Sequence, residues 1–149
     1  MRILATVVGL ALLAVAEHAH AADETIIVEC IGTMHSGDVK DATDTKTPLK
    51  EREDNVIIVL EMTTKGGARD RSRYGQFGTS SCSFDLRELS CGLLFPMRMD
   101  IGGRRASELN INRYDGTIIA RTYIEHPNLG ARGYSYKGVC KKRDRAELF

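Results

Sequence analysis

Apolar side chains in this chain come in short runs rich in β-branched residues, separated by stretches dense in glycine and charge. Thr25–Ile31 (TIIVECI) reads as a buried strand, and Val56–Met62 (VIIVLEM) as a second. Gly92–Met99 and Ser107–Asn112 read as further strands, and Gly133–Cys140 (GYSYKGVC) as the last. Asp115-Gly116, set between two β-type runs, is a hairpin signature. A type I′ turn centred there sets Tyr114 opposite Thr117, Ile111 opposite Ala120 and Leu109 opposite Thr122. Leu109, Ile111, Ile118 and Ala120 then share one face, with Ile119 and Tyr123 on the more polar one. In the last strand Tyr134, Tyr136 and Cys140 point one way, and Ser135, Lys137 and Val139 the other. Inward-pointing tyrosines need partners for their hydroxyls.

Met34–Asn55 is polar and charged and contains Gly37 and Pro48, so it reads as a long surface loop; Thr63–Gly78 reads as another. A loop of about 20 residues is uncommon inside a compact domain, which makes 34–55 either functional or the cover for an unrecognised element. With no convincing helix, the pattern predicts an all-β domain: a small antiparallel β-sandwich or β-barrel of about seven or eight strands. Residues 22–149 form that single domain.

The N-terminus follows a different pattern. Arg2 precedes the apolar run Ile3–Ala16, and Ala19-His20-Ala21 supplies small residues at the A-x-A positions. Residues 1–21 therefore read as a secretory signal peptide cleaved after Ala21 or Ala22. The run is too short for a transmembrane anchor, which needs roughly 20 apolar residues. Export to the periplasm or the extracellular space is an oxidising route, so the four cysteines read as two disulfides.

Four cysteines allow three connectivities. Cys30 lies on the first apolar run and Cys140 on the last, so a Cys30–Cys140 bridge ties the ends of the domain together. Cys82 and Cys91 fit a hairpin in which Phe84 faces Leu89 and Asp85–Glu88 forms a four-residue loop. A helix from Phe84 to Leu94 is the competing reading. It is incompatible with a Cys82–Cys91 bridge, because nine helical residues span about 13.5 Å. Structural zinc sites bring cysteines in close pairs such as C-x-x-C, and no such pair is present.

Charge offers little steering. Lys and Arg number 21 against 20 Asp and Glu, and the net charge is +1. Signal-peptide removal takes Arg2 and Glu17 together and leaves that balance unchanged. A dedicated nucleic-acid binder is usually far more basic. Arg69, Arg71 and Arg73 would project to one side of a strand and suit an anionic partner, although the neighbouring glycines fit a flexible loop equally well. Lys141–Arg145 is a second basic run, interrupted by Asp144.

Catalytic candidates are few. With His18 and His20 in the leader, only His35 and His126 remain, and no serine lies in a nucleophile-elbow motif. Asp38, Asp41 and Asp44 recur every third residue, but the EF-hand order D-x-D-x-D-G is absent, so a solvated loop is preferred over weak cation binding. No metal or cofactor is expected. The resulting expectation is an exported, disulfide-stabilised, non-catalytic binding or accessory protein, its partner an envelope protein, a glycan or a small ligand. Two alternatives stand beside it: an enzyme on a β scaffold using His35 or His126 with a nearby carboxylate, and a structural subunit of an envelope complex. A dry apolar cavity would favour a small ligand, and an exposed apolar patch a protein partner.

Overall fold

The computed structural model describes residues 24–143, so the expected signal peptide and its cleavage site lie outside the described residues. Eight antiparallel strands form one sheet: β1 Thr25–Val39, β2 Glu51–Thr63, β3 Gly67–Asp70, β4 Cys82–Phe84, β5 Glu88–Arg98, β6 Arg104–Asn112, β7 Thr117–His126 and β8 Gly130–Arg143. Their order is β3-β2-β1-β8-β7-β6-β5-β4. The sheet curls into a nearly closed barrel, which decides between sandwich and barrel. No helix among the described residues is long and apolar enough to cross a membrane.

Period-two alternation fills the interior. Val56, Ile58, Leu60 and Met62 of β2 point inward, as do Ile26, Val28 and Cys30 of β1, while Ile31 and Ile57 stay on the outer face. Leu109, Ile111, Ile118 and Ala120 form the expected inner row. Tyr136 is fully buried, and its hydroxyl donates to the Val56 carbonyl at 3.0 Å. Burial raises the Tyr136 hydroxyl pKa well above its ordinary value. At the barrel centre the Phe77 ring lies 5.8 Å from the Tyr136 ring. The interior of this small barrel is thus packed with side chains.

Both disulfides form as the spacing suggested. Cys30 and Cys140 sit directly opposite each other on β1 and β8. Cys82 and Cys91 close the β4–β5 hairpin, with Phe84 opposite Leu89. In the chain-entropy account a bridge spanning 110 residues stabilises by roughly 4.8 kcal/mol and one spanning 9 residues by roughly 2.7.

The β6–β7 hairpin keeps the expected faces but shifts register by two residues. Ile111 pairs with Ile118 and Leu109 with Ala120, leaving Arg113–Gly116 as the loop. A type I′ turn needs positive φ at both central positions. Here Gly116 has a φ of 71°, whereas Asp115 does not enter the left-handed region. Asn112 and Asp115 side chains instead cap the loop by accepting from the Tyr114 and Thr117 amides.

The expected loops are shorter than the polar pattern implied. β1 continues to Val39 and β2 begins at Glu51, so the excursion spans only residues 40–50. The 63–78 stretch contains β3. Backbone pairing of β1 with β8 runs through Val39 and overrides the weak strand propensity of Gly37 and Asp38. On the other side, polar contacts tie the same stretch of β1 to β2: Thr33 donates to Asp54 at 2.8 Å, and Ser36 to Glu51 at 2.8 Å.

Residues 40–50 fold over the outer face of β7 and β8. Ala42 is buried, and its amide donates to Glu125 at 3.2 Å. Leu49 and Tyr123 converge over Gly133, where an added Cβ would lie about 3 Å from each. This cover buries Tyr123, which strand alternation alone assigned to the polar face. Asp44 organises the cover by accepting from the Thr47 hydroxyl and from the Lys40, Lys46 and Thr47 amides.

Phe77→Ala should cost about 3–5 kcal/mol in urea unfolding, whereas Phe95→Ala, at an exposed site, should stay within about 0.5 kcal/mol. Equal losses would remove Phe77 from the core. The hydrogen bonds to Asp44, led by that from Thr47, lower its carboxyl to about 2 from 3.8. The folded value is the depressed one, so the carboxylate supports the cover fully above about pH 4. That support fades as pH falls through about 2. NMR titration of the Asp44 carboxyl should give a midpoint near 2; a midpoint near 3.8 would show that the cover does not hold it.

Candidate ligand-binding cleft at the barrel seam

Closing the barrel would require β3 to meet β4 and β5, but β3 has four residues and β4 three. Thr79–Ser81 bridges part of the gap. The Thr79 amide donates to the Ala68 carbonyl at 2.9 Å on one side, and the Gly92 amide to the Ser81 carbonyl at 2.9 Å on the other. Gly92 is required at this crossing: its φ is 72°, and a Cβ there would lie 2.3 Å from the Ser107 carbonyl oxygen. Beyond the bridge the seam stays open as a cleft of about 850 Å³.

One wall of the cleft is apolar. β4 begins only at Cys82, opposite Cys91, so from Leu93 onward β5 runs without a strand partner on that side. The inward row Leu89, Cys91, Leu93 continues into Phe95 and Met97, whose register against β6 breaks between Leu93 and Met97. Leu89 and Cys91 are buried, whereas Leu93, Phe95 and Met97 are 78%, 71% and 58% exposed. Alternation patterned this row for burial, and the missing neighbour leaves it bare.

The other side carries charge. Arg69, Asp70, Arg98 and Arg105 line the cleft. Asp70 is fully engaged: Oδ1 accepts from the Ser72 amide and hydroxyl, and Oδ2 from the Gln76 and Phe77 amides at 3.0 and 3.3 Å. This carboxylate shapes the 71–78 loop that carries Phe77 into the barrel. Arg105 donates from Nε to Ser107 Oγ at 3.1 Å and from Nη2 to the Gln76 carbonyl. Ser107 Oγ shares a buried hydrogen bond of 2.8 Å with Thr122. Burial lowers the Arg105 pKa and Asp70 opposes the shift; the guanidinium keeps its charge. It forms no ion pair within 4.0 Å among the described residues.

The three arginines of 69–73 part company. Arg71 binds Glu61 through Nε and Nη2 at 3.0 and 2.7 Å. Arg73 stacks on Tyr74 at 4.8 Å and reaches Glu53 at 3.3 Å. Only Arg69 lines the cleft, without an ion pair among the described residues. Arg98 and Arg105 were not singled out in the sequence, and nothing local marks Arg105, whose role arises from its distant partner at Gln76. The apolar wall left more trace: Gly92–Met99 reads as a strand with an internal proline, a sign of an edge or a bulge.

A smaller hollow of about 330 Å³ contains His126 together with Asp38, Gln76, Arg132 and Tyr134. Asp38 lies 3.5 Å from Arg132, which also binds Glu51. His35 lies on β1 opposite Arg52 and Ser135. Neither histidine hydrogen-bonds a carboxylate among the described residues. Asp41 accepts from Thr43 and Asp44 from its own loop, so the spaced aspartates serve local turns. Among the described residues no group of three or more His, Cys, Asp or Glu is placed to hold a metal ion. A second bare apolar row, Ile57, Ile31 and Val139, crosses the outer face in register.

Fold and cleft together define the chain as a disulfide-stapled antiparallel β-barrel with an open, cationic and apolar seam. Compared with known protein families, characterised proteins and solved structures, the chain shows no match to any of them.

Asp70→Asn replaces an acceptor oxygen by an NH₂ group facing backbone amides. It should destabilise the fold by about 1–3 kcal/mol and speed hydrogen exchange at Gln76 and Phe77. Unchanged protection of those amides would show that the loop is held by other means.

Proposed function

We propose that this protein is a non-catalytic binding protein of an oxidising compartment outside the cytoplasm, with the seam cleft as its binding site. The observation that carries the reading is the bare inner row Leu93, Phe95 and Met97, facing a cleft with uncommitted arginine donors. Soluble proteins rarely leave such rows uncovered without a partner for them. Two disulfides support an oxidising environment. The packed interior argues against a ligand at the barrel centre and directs attention to the rim. The cleft volume lies in the range of about 300–1,000 Å³ typical of small-ligand sites.

The enzyme reading receives less support. It needs a base oriented against a nucleophile or carboxylate, whereas Asp38 beside His126 is engaged by Arg132.

Native mass spectrometry of the protein purified from its host should show a bound component that the Leu93→Ser, Phe95→Ser double variant lacks, with both proteins folded and oxidised. The same component retained by that variant would move the site elsewhere. A bare monomer from the wild-type protein would overturn the reading.

A further inference from the structure

Building on the seam-cleft reading, we infer that the cleft takes a single-chain amphiphile with an anionic carboxylate or phosphate head. The apolar wall is compact: Leu93, Phe95 and Met97 recur at alternate positions, and the bulge between Leu93 and Met97 sets four residue steps of β5 against only two of β6, Ser107 to Arg105. Three apolar side chains along one side of the cleft suit a flexible aliphatic chain, and Met97 adapts to its outline. The head would lie against Arg69, Arg98 and Arg105. Against these three cations the cleft holds one carboxylate, Asp70, and both its oxygens already accept two hydrogen bonds each. The cleft thus concentrates positive charge on a chain whose net charge is only +1.

Arg105 is the selective element. It is half-buried, and its Nε and Nη2 are fixed by Ser107 and the Gln76 carbonyl. That leaves Nη1 without a hydrogen-bond partner among the described residues, on a guanidinium already held in place. A guanidinium held in this way presents Nη1 to an anionic oxygen, and partial desolvation strengthens the interaction.

A peptide strand added to the β5 edge is the competing occupant, and the local backbone disfavours it. Pro96 has no N–H to offer a ladder, and the register break between Leu93 and Met97 interrupts regular pairing. A small amphiphile needs no continuous edge.

The test is calorimetric titration of the oxidised protein with dodecanoate, dodecyl phosphate and dodecyltrimethylammonium, each below its micellar concentration. At least one anionic amphiphile should bind about tenfold or more tightly than the cation, and the Arg69→Gln, Arg98→Gln double variant should weaken that binding by about tenfold at an unchanged thermal midpoint. Arg69 and Arg98 form no ion pair among the described residues, so their loss leaves the barrel intact. Phe95→Ser should weaken all binding. Whether dodecanoate or dodecyl phosphate binds more tightly identifies the head group. Equal binding of anion and cation, abolished by Phe95→Ser, would overturn the head-group assignment and leave the cleft standing. No binding of any amphiphile would overturn the inference. A host component still lost on substitution of Leu93 and Phe95 would then keep the cleft as the site of a different partner.

Discussion

The carboxylate of Asp70 stands at the end of β3, where the sheet fails to close, and the arrangement of the seam depends on it. Its two oxygens gather amides from Ser72, Gln76 and Phe77 into one compact loop. That loop delivers Phe77 to the barrel centre against Tyr136. It also presents the Gln76 carbonyl to Arg105, so the same turn fills the core and fixes a cation at the rim. A buried ring, a satisfied carboxylate and a held guanidinium thus form one connected unit. Leaving any member unpaired would cost its desolvation without return.

Incomplete closure shapes both sides of the cleft. Barrels remove exposed strand edges only when the last strand meets the first. Here the two edge strands are short, and Thr79–Ser81 bridges them through hydrogen bonds to Ala68 and Gly92. β5 outruns its neighbour, so its inner row passes from core to open surface within one strand. One strand thus carries buried Leu89 and Cys91 and, past the end of its neighbour, bare Leu93, Phe95 and Met97. The same sheet shows the converse at Tyr123, an outer-face residue buried because residues 40–50 fold over it.

Much of the architecture was legible along the chain, and its limits have physical causes. The β-branched runs, the inner rows of β6 and β7, the inward tyrosines of β8 and the Cys82–Cys91 hairpin follow from period-two geometry, a local property of the backbone. The turn at Asp115-Gly116 went astray by two residues. Asn112 and Asp115 side chains stabilise a longer loop, and a two-residue shift leaves every side chain on the same face, so the hydrophobic pattern cannot detect it. The strand ends at 34–39 and 51–55 were hidden because most of their side chains are polar or absent while their backbones pair. The site was less legible: Arg69 was marked by its neighbours Arg71 and Arg73, which the fold commits to Glu61 and Glu53.

By itself the sequence determined an all-β chain, its inward rows and the pairing most compatible with its cysteines, because alternation and turn chemistry act over a few residues. Only the tertiary structure decided that the sheet curls into a nearly closed barrel and that Phe77 packs inside it. It also left the β5 row uncovered beside Arg69, Arg98 and Arg105. Those outcomes depend on which distant strands meet and where each one stops. Burial at a given position is set by neighbours that local pattern does not name.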